Sequence, residues 1–372
     1  MLLIPVLAAS CVAAKPGAGK PPITTLIYLV NNPSSIASFR AHADRVSIIA
    51  PQTFSMDAHG FVMGEVPPEV LRIAADRHVA VTPLVTNRGF RQPLMHTVLD
   101  TPESRARAIR YLIYYALRDG YQGFQFDYEN IHYTYRDRFT VFFKEAAREF
   151  HKHGLQLSAA VVGRRDDTRN SNSPGGYDNW SGVYDYGAMG KVADFISVMA
   201  YAEHGANANP GPVAGLPWVT AIAEYSAGAI PARKISLGVP FYGMRWDATD
   251  PAAVPPPPRK WRGRSSRYSD TAKALATTET VWDEKESSPH VAFDTDGRRT
   301  ELWFENARSL ETKMRLAHEM GFLGISAWVA GQEDPAFWDA LDGWRVRHPR
   351  KPLAPGPLDE RSKKAARRLV AR

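Results

Sequence analysis

The 372 residues suffice for one large domain or two ordinary ones, and 44% hydrophobic with 23% charged residues is a globular composition. The net charge of +7 is local: residues 351–372 carry +5, which leaves +2 on the rest, and with no accompanying motif the charge makes no case for nucleic-acid binding. A single cysteine, Cys11, excludes an intrachain disulfide, and no apolar run is long enough to span a bilayer.

The chain opens on MLLIPVLAASCVAA, an apolar run followed by small residues, which has the form of a secretory signal. It predicts export to the periplasm, cell envelope or medium. Ala8-Ala9-Ser10-Cys11 loosely matches a lipoprotein box, so lipid anchoring at Cys11 is a second route to the envelope. Residues 15–22 are rich in Lys, Pro and Gly and read as a linker. Eight β-branched or apolar runs follow: 23–30, 46–50, 79–85, 123–128, 155–162, 195–201, 235–241 and 322–328. Amphipathic stretches separate several of them. In the clearest, Thr101 stands at a capping position and Pro102 at the first helical one, and Ile109, Leu112, Ile113, Ala116 and Leu117 share an apolar face. Eight strand–helix alternations predict an α/β fold, a (β/α)8 TIM barrel over residues 23–344. Residues 245–300, with Pro255–Pro258 and the short runs Val281–Trp282 and Val291–Phe293, break the alternation. They predict a small subdomain inserted between strand 7 and helix 7, on the face where βα-loops build active sites. Residues 345–372 read as a basic polar tail, another contact for an anionic envelope surface.

The fourth run carries the chemistry. In Gly123-Phe124-Gln125-Phe126-Asp127-Tyr128-Glu129-Asn130, alternation puts Phe124, Phe126 and Tyr128 on one face and Gln125, Asp127 and Glu129 on the other. A parallel strand buried on both faces should read as nearly all apolar, so three inward polar groups are costly unless they are paired or used. Carboxyls two residues apart on a strand are roughly 6–7 Å apart at Cα, close enough for their side chains to share a proton. A charged Asp127 then raises the pKa of Glu129, and a Glu protonated at neutral pH is a general acid.

This segment resembles the fourth-strand signature of glycoside hydrolase family 18, nearest the branch of spore-cortex-type N-acetylglucosaminidases and di-N-acetylchitobiase. Four further stretches resemble that branch in order: Ser197–His204 with Pro210–Val219, Lys234–Gly243, Trp303–Ser309 and Gly324–Trp328. The resemblance implies retaining, substrate-assisted hydrolysis of β-linked N-acetylglucosamine glycans, peptidoglycan or chitin-type, in which the substrate's acetamido oxygen is the nucleophile. It implies that Glu129 is the general acid, that Asp127 holds the acetamido N–H, and that Tyr201 bonds the acetamido carbonyl. Trp328 would be the floor under the sugar, and Gln125, Met199 and Tyr242 would complete the substrate-binding set. Two positions depart from the family: Gln125 stands where an Asp is frequent, and Ala202 where an Asp usually follows the sixth-strand Tyr. Both permit the alternative of a non-catalytic barrel that binds amino sugars. The sequence calls for no cofactor and no metal: His151 and His153 do not share a helical face, Asp57 and His59 lie in a loop, and no zinc motif accompanies either pair.

Overall fold

The computed structural model describes residues 23–169, 176–249, 261–295 and 297–348. The N-terminal apolar run with Cys11, the linker, Pro255–Pro258 and the basic end of the tail lie outside the described residues.

Each of the eight runs forms a strand of one parallel barrel. In chain order these are Thr24–Leu29, Ile48–Met56, the split third strand Ala80–Val81 with Leu84–Asn87, Gly123–Asp127, Gln156–Val162, Phe195–Met199, Ile235–Pro240 and Gly324–Trp328. Every strand pairs in parallel with its sequence neighbours, and the first pairs with both the second and the eighth, which closes the ring. The fold is therefore the (β/α)8 barrel expected. The main core lies between the strands and the surrounding helices. Phe126 packs on Phe142 and Phe143 of helix Arg136–Lys152, with ring centroids 5.3 and 5.7 Å away. A smaller cluster fills the barrel, including Leu26, Tyr28, Ile48, Ala50, Leu84 and Phe195. Helix Pro102–Asp119 buries the predicted face, and Gly120 ends it at φ 77°, a left-handed conformation open to glycine.

The second strand holds an irregularity that reaches the site. Gln52 pairs with Leu84 but Phe54 with Val85, so one residue is extra at position 53. Strict alternation would turn Phe54 inward beside Ile48, Ala50 and Gln52. The bulge instead sends Phe54 outward, where it meets Phe124 edge-on at 5.0 Å, and leaves Gln52 facing the cavity.

Between the seventh strand and helix Ala307–Glu319 the chain builds a five-stranded antiparallel sheet. Its strands are Gly243–Ala248, Trp261–Ser266, Val281–Asp283, Ser288–Thr295 and Arg298–Trp303. Gly263 N–H donates to Ala206 O and Leu216 N–H to Glu286 O, which ties the sheet to the loop after the sixth strand.

Three local expectations are corrected. Thr101 makes no side-chain cap: it joins two helices in an extended conformation, and its N–H bonds back to Val98 O. The last helix, Ala336–Arg347, runs past the boundary at 344, because Trp344 is buried and Arg345 donates to Thr25 Oγ1 and Arg45 O. His153, expected on the surface together with His151, is half-buried, whereas His151 is exposed with Nε2 3.0 Å from Asp194 Oδ2. Among the described residues no helix is long and apolar enough to cross a membrane.

Candidate active site

The C-terminal ends of the strands surround a cavity of about 250 Å³, lined by Asp127, Glu129, Met199, Tyr201 and Trp328 together with Tyr28, Gln52, Leu84, Phe90 and Ala160. Asp127, Met199 and Trp328 are the last residues of their strands, so the strand ends set the wall of the cavity. Glu129 lies two residues past the fourth strand on the same side as Asp127, as the alternation requires.

Asp127 is 3% exposed and Glu129 half-buried. The two carboxyls line the same cavity and influence each other's ionisation. Burial raises Asp127 above the ordinary carboxylate range, and hydrogen bonds from Gln52 and Glu129 pull it back down. Burial also raises Glu129, and the charge of Asp127 adds to the rise instead of opposing it. Glu129 is therefore raised further, and near neutral pH the pair holds one proton, on Glu129. Gln52 Nε2 donates to Asp127 Oδ2 at 3.2 Å, which stabilises the ionised partner.

Tyr201 lines the same cavity as the two carboxyls. Burial holds its phenol well above the ordinary tyrosine range, with further upward pushes from Tyr28, Tyr242 and the two acids, so its hydroxyl remains a donor. Gly238 on the seventh strand makes room for it: a Cβ there would stand 2.5 Å from Val198 O and 3.1 Å from Tyr201 Cε1. Trp328 leans on Tyr28, with ring centroids 5.4 Å apart and planes at 53°, and gives the cavity an aromatic wall. The Trp328–Val329 peptide is cis.

Gln125 does not line the cavity. Its side chain is fully buried one inward layer below Asp127, where Nε2 donates to Ser158 Oγ at 3.3 Å and to Ser197 Oγ at 3.1 Å. Ser197 in turn bonds Ser326 at 2.8 Å, so the residue that departs from Asp belongs to a polar layer beneath the cavity. Tyr242 also stands outside the lining. It follows the seventh strand where the chain turns into the inserted sheet, and it packs with Val213, Met244 and Trp246 while meeting Tyr201 edge-on at 6.4 Å. Ala202 is exposed at φ 65°, and Glu203 turns away to accept from Gly215 N–H at 2.8 Å.

Gln52, Tyr28 and Phe90 were not singled out from sequence. Gln52 lies in the second strand at an inward position in phase with Ile48 and Ala50, but that run was read as ending at Ala50. Among the described residues no three His, Cys, Asp or Glu side chains gather as a metal site.

A closed parallel barrel with two coupled carboxyls at its C-terminal mouth is equipped for acid–base hydrolysis, and the family match makes it a glycosidase. The chain belongs to the glycosyl hydrolases family 18, whose pattern matches residues 69–333. It is 26% identical over 323 residues to the uncharacterized glycosylase YvbX of Bacillus subtilis (strain 168), which covers 85% of this chain and 90% of that one. To the cortical fragment-lytic enzyme of the same organism it is 26% identical over 290 residues, 77% of this chain and 65% of that enzyme. The crystal structure of a chitinase from Chromobacterium violaceum ATCC 12472 superposes with a TM-score of 0.77 at 26% identity, over 88% of this chain and 100% of that one.

Proposed function

We propose that the protein hydrolyses β-linked N-acetylglucosamine-containing glycans, peptidoglycan or chitin oligosaccharides, by a retaining mechanism in which the substrate's acetamido group is the nucleophile. The observation that carries this reading is the placement of Asp127 and Glu129 two residues apart on one strand end, side by side in the lining of one cavity. In the two-carboxylate scheme the acids flank the glycosidic bond from opposite sides, about 5 Å or more apart. Carboxyls projecting from one strand end do not flank it, so the nucleophile falls to the sugar's own amide oxygen. Glu129 donates its proton to the leaving oxygen. Asp127, held ionised by Gln52, accepts the acetamido N–H and stabilises the positive ring. The Tyr201 hydroxyl donates to the acetamido oxygen and aims it at the anomeric carbon, while Trp328 supplies an apolar face for the pyranose. Glu129, now a carboxylate, then takes a proton from the water that opens the cyclic intermediate. The N-terminal apolar run supports an exported protein.

The test incubates wild type and Glu129→Gln with N-acetylglucosamine oligomers and with purified peptidoglycan. Products from wild type alone, with the anomeric configuration retained, are the expected outcome. Glycan binding by both proteins without turnover would instead make this an amino-sugar-binding barrel.

A further inference from the structure

We propose that Asn87 is a positioning residue for the general acid, a role that rests on the reading of Glu129 given above. The fourth strand's ladder stops before the acid. Its last pair with the third strand is Thr86–Asp127, and its last pair with the fifth is Phe126–Ala159. Glu129 lies beyond both, so no neighbouring strand holds its peptide. The third strand ends at Asn87 and turns away through Arg88–Phe90, with Gly89 at φ 65° and Phe90 at φ 49°.

The Asn87 side chain takes the place of the missing strand partner. Glu129 N–H donates to Asn87 Oδ1 at 3.0 Å, and Asn87 Nδ2 donates to Glu129 O at 2.8 Å. A carboxamide carries the same donor and acceptor as a peptide unit, and here both are used on one residue. Asn87 is fully buried, so no water competes for either bond. A reciprocal bond closes the arrangement: Asn130, at φ 53°, donates from Nδ2 to Phe90 O at 2.9 Å, and the Phe90 ring lines the cavity. Glu129 and the aromatic wall at Phe90 are thus fixed to each other through two asparagines, independently of the barrel ladder. Side-chain freedom at Glu129 begins only at its Cα, so its carboxyl is aimed by this bracket.

The experiment compares Asn87→Ser with wild type on two substrates that share an N-acetylglucosamine oligomer but differ in leaving group: a sugar, which needs protonation, and a dinitrophenolate, which does not. The expected result is a kcat/KM, which reports the bond-breaking step, about 100-fold lower for the sugar leaving group, the cost that a misplacement of about 1 Å can reach. The dinitrophenyl substrate should lose less than about fivefold in kcat/KM, because the ring-opening step in which Glu129 acts as a base comes later and is common to both substrates. Equal losses on both substrates, or no loss on either, would overturn the role of Asn87. If Asn87→Ser does not fold, Asn87→Asp, which keeps the shape and the acceptor but loses the donor, is put through the same contrast with the same expectations. Glu129→Gln runs alongside. Wild-type turnover in that variant would overturn the assignment of the acid itself, an outcome separate from failure of the Asn87 proposal.

Discussion

Asp127→Asn separates the two causes that keep Glu129 protonated. Burial, the larger cause, is untouched by this nearly isosteric change, while the neighbouring negative charge is removed. Two charges about 4 Å apart in a medium of effective dielectric near 20 interact by about 4 kcal/mol, or about three pH units. Asp127 shares its charge with Gln52 and with the proton of Glu129, which discounts that figure, so a fall of about one to three units in the Glu129 pKa is expected. The sign follows from the role. A general acid works while protonated, so activity falls as pH rises through its pKa, and a lowered pKa moves the alkaline limb of kcat/KM to lower pH. Burial remains, so the limb should still lie above the ordinary glutamate value of 4.5. The assay is a kcat/KM–pH profile of both proteins on an oligomer with a sugar leaving group. The variant should also lose about 100-fold or more in kcat while its affinity for oligomers changes by less than about tenfold, the signature of a group acting in the transition state. An alkaline limb that stays in place, or moves up, would refute the electrostatic coupling of the two acids.

Lys313 and Glu305 form a buried ion pair at 2.8 Å, each side chain 1% exposed. Lys313→Met leaves the Glu305 charge without its partner and should cost about 3–5 kcal/mol in urea unfolding, while Glu305→Gln with Lys313→Met should recover part of that loss. Ala202 adopts φ 65° with its methyl group exposed. Ala202→Gly should therefore raise the unfolding free energy by about 1 kcal/mol, and an unchanged or lowered denaturation midpoint would mean the strain is not released.

The barrel was legible because its signals are local and repeated. Each strand announces itself by a short apolar run, and eight runs in one chain leave few architectures. The acid pair was legible for the opposite reason: Asp127 and Glu129 break the apolar rule of a buried strand, and period-two alternation states which way they point. Gln125 shows where that logic stops. Alternation gives a face but no height, and the layer at which an inward side chain sits depends on barrel tilt and register, which are properties of pairing. The same limit hid Gln52, because the bulge that leaves it beside Asp127 exists only as a count of two residues against one on a neighbouring strand. Asn87 was hidden more deeply, since its partner is a backbone peptide 42 residues away.

These omissions share a physical cause. The residues that perform the chemistry carry unusual side chains and stand out in a sequence, whereas those that aim them use ordinary amides in ordinary positions. Gln52 holds Asp127 in its ionised form, and Asn87 holds the peptide from which Glu129 projects. Both stand where strand pairing is interrupted: Gln52 beside the bulge of its own strand, and Asn87 at the end of its strand, reaching past the last rung to the Glu129 peptide. A barrel's regular hydrogen bonding must end at the rim where substrate enters, so an acid past the last rung, as Glu129 is, sits where the ladder no longer fixes it. Side-chain amides are the smallest groups able to replace a lost peptide partner with both donor and acceptor. Amides at the ends of strands adjacent to an acid-bearing strand are therefore the places to look for the supports of a barrel active site, even when only the acids are conspicuous.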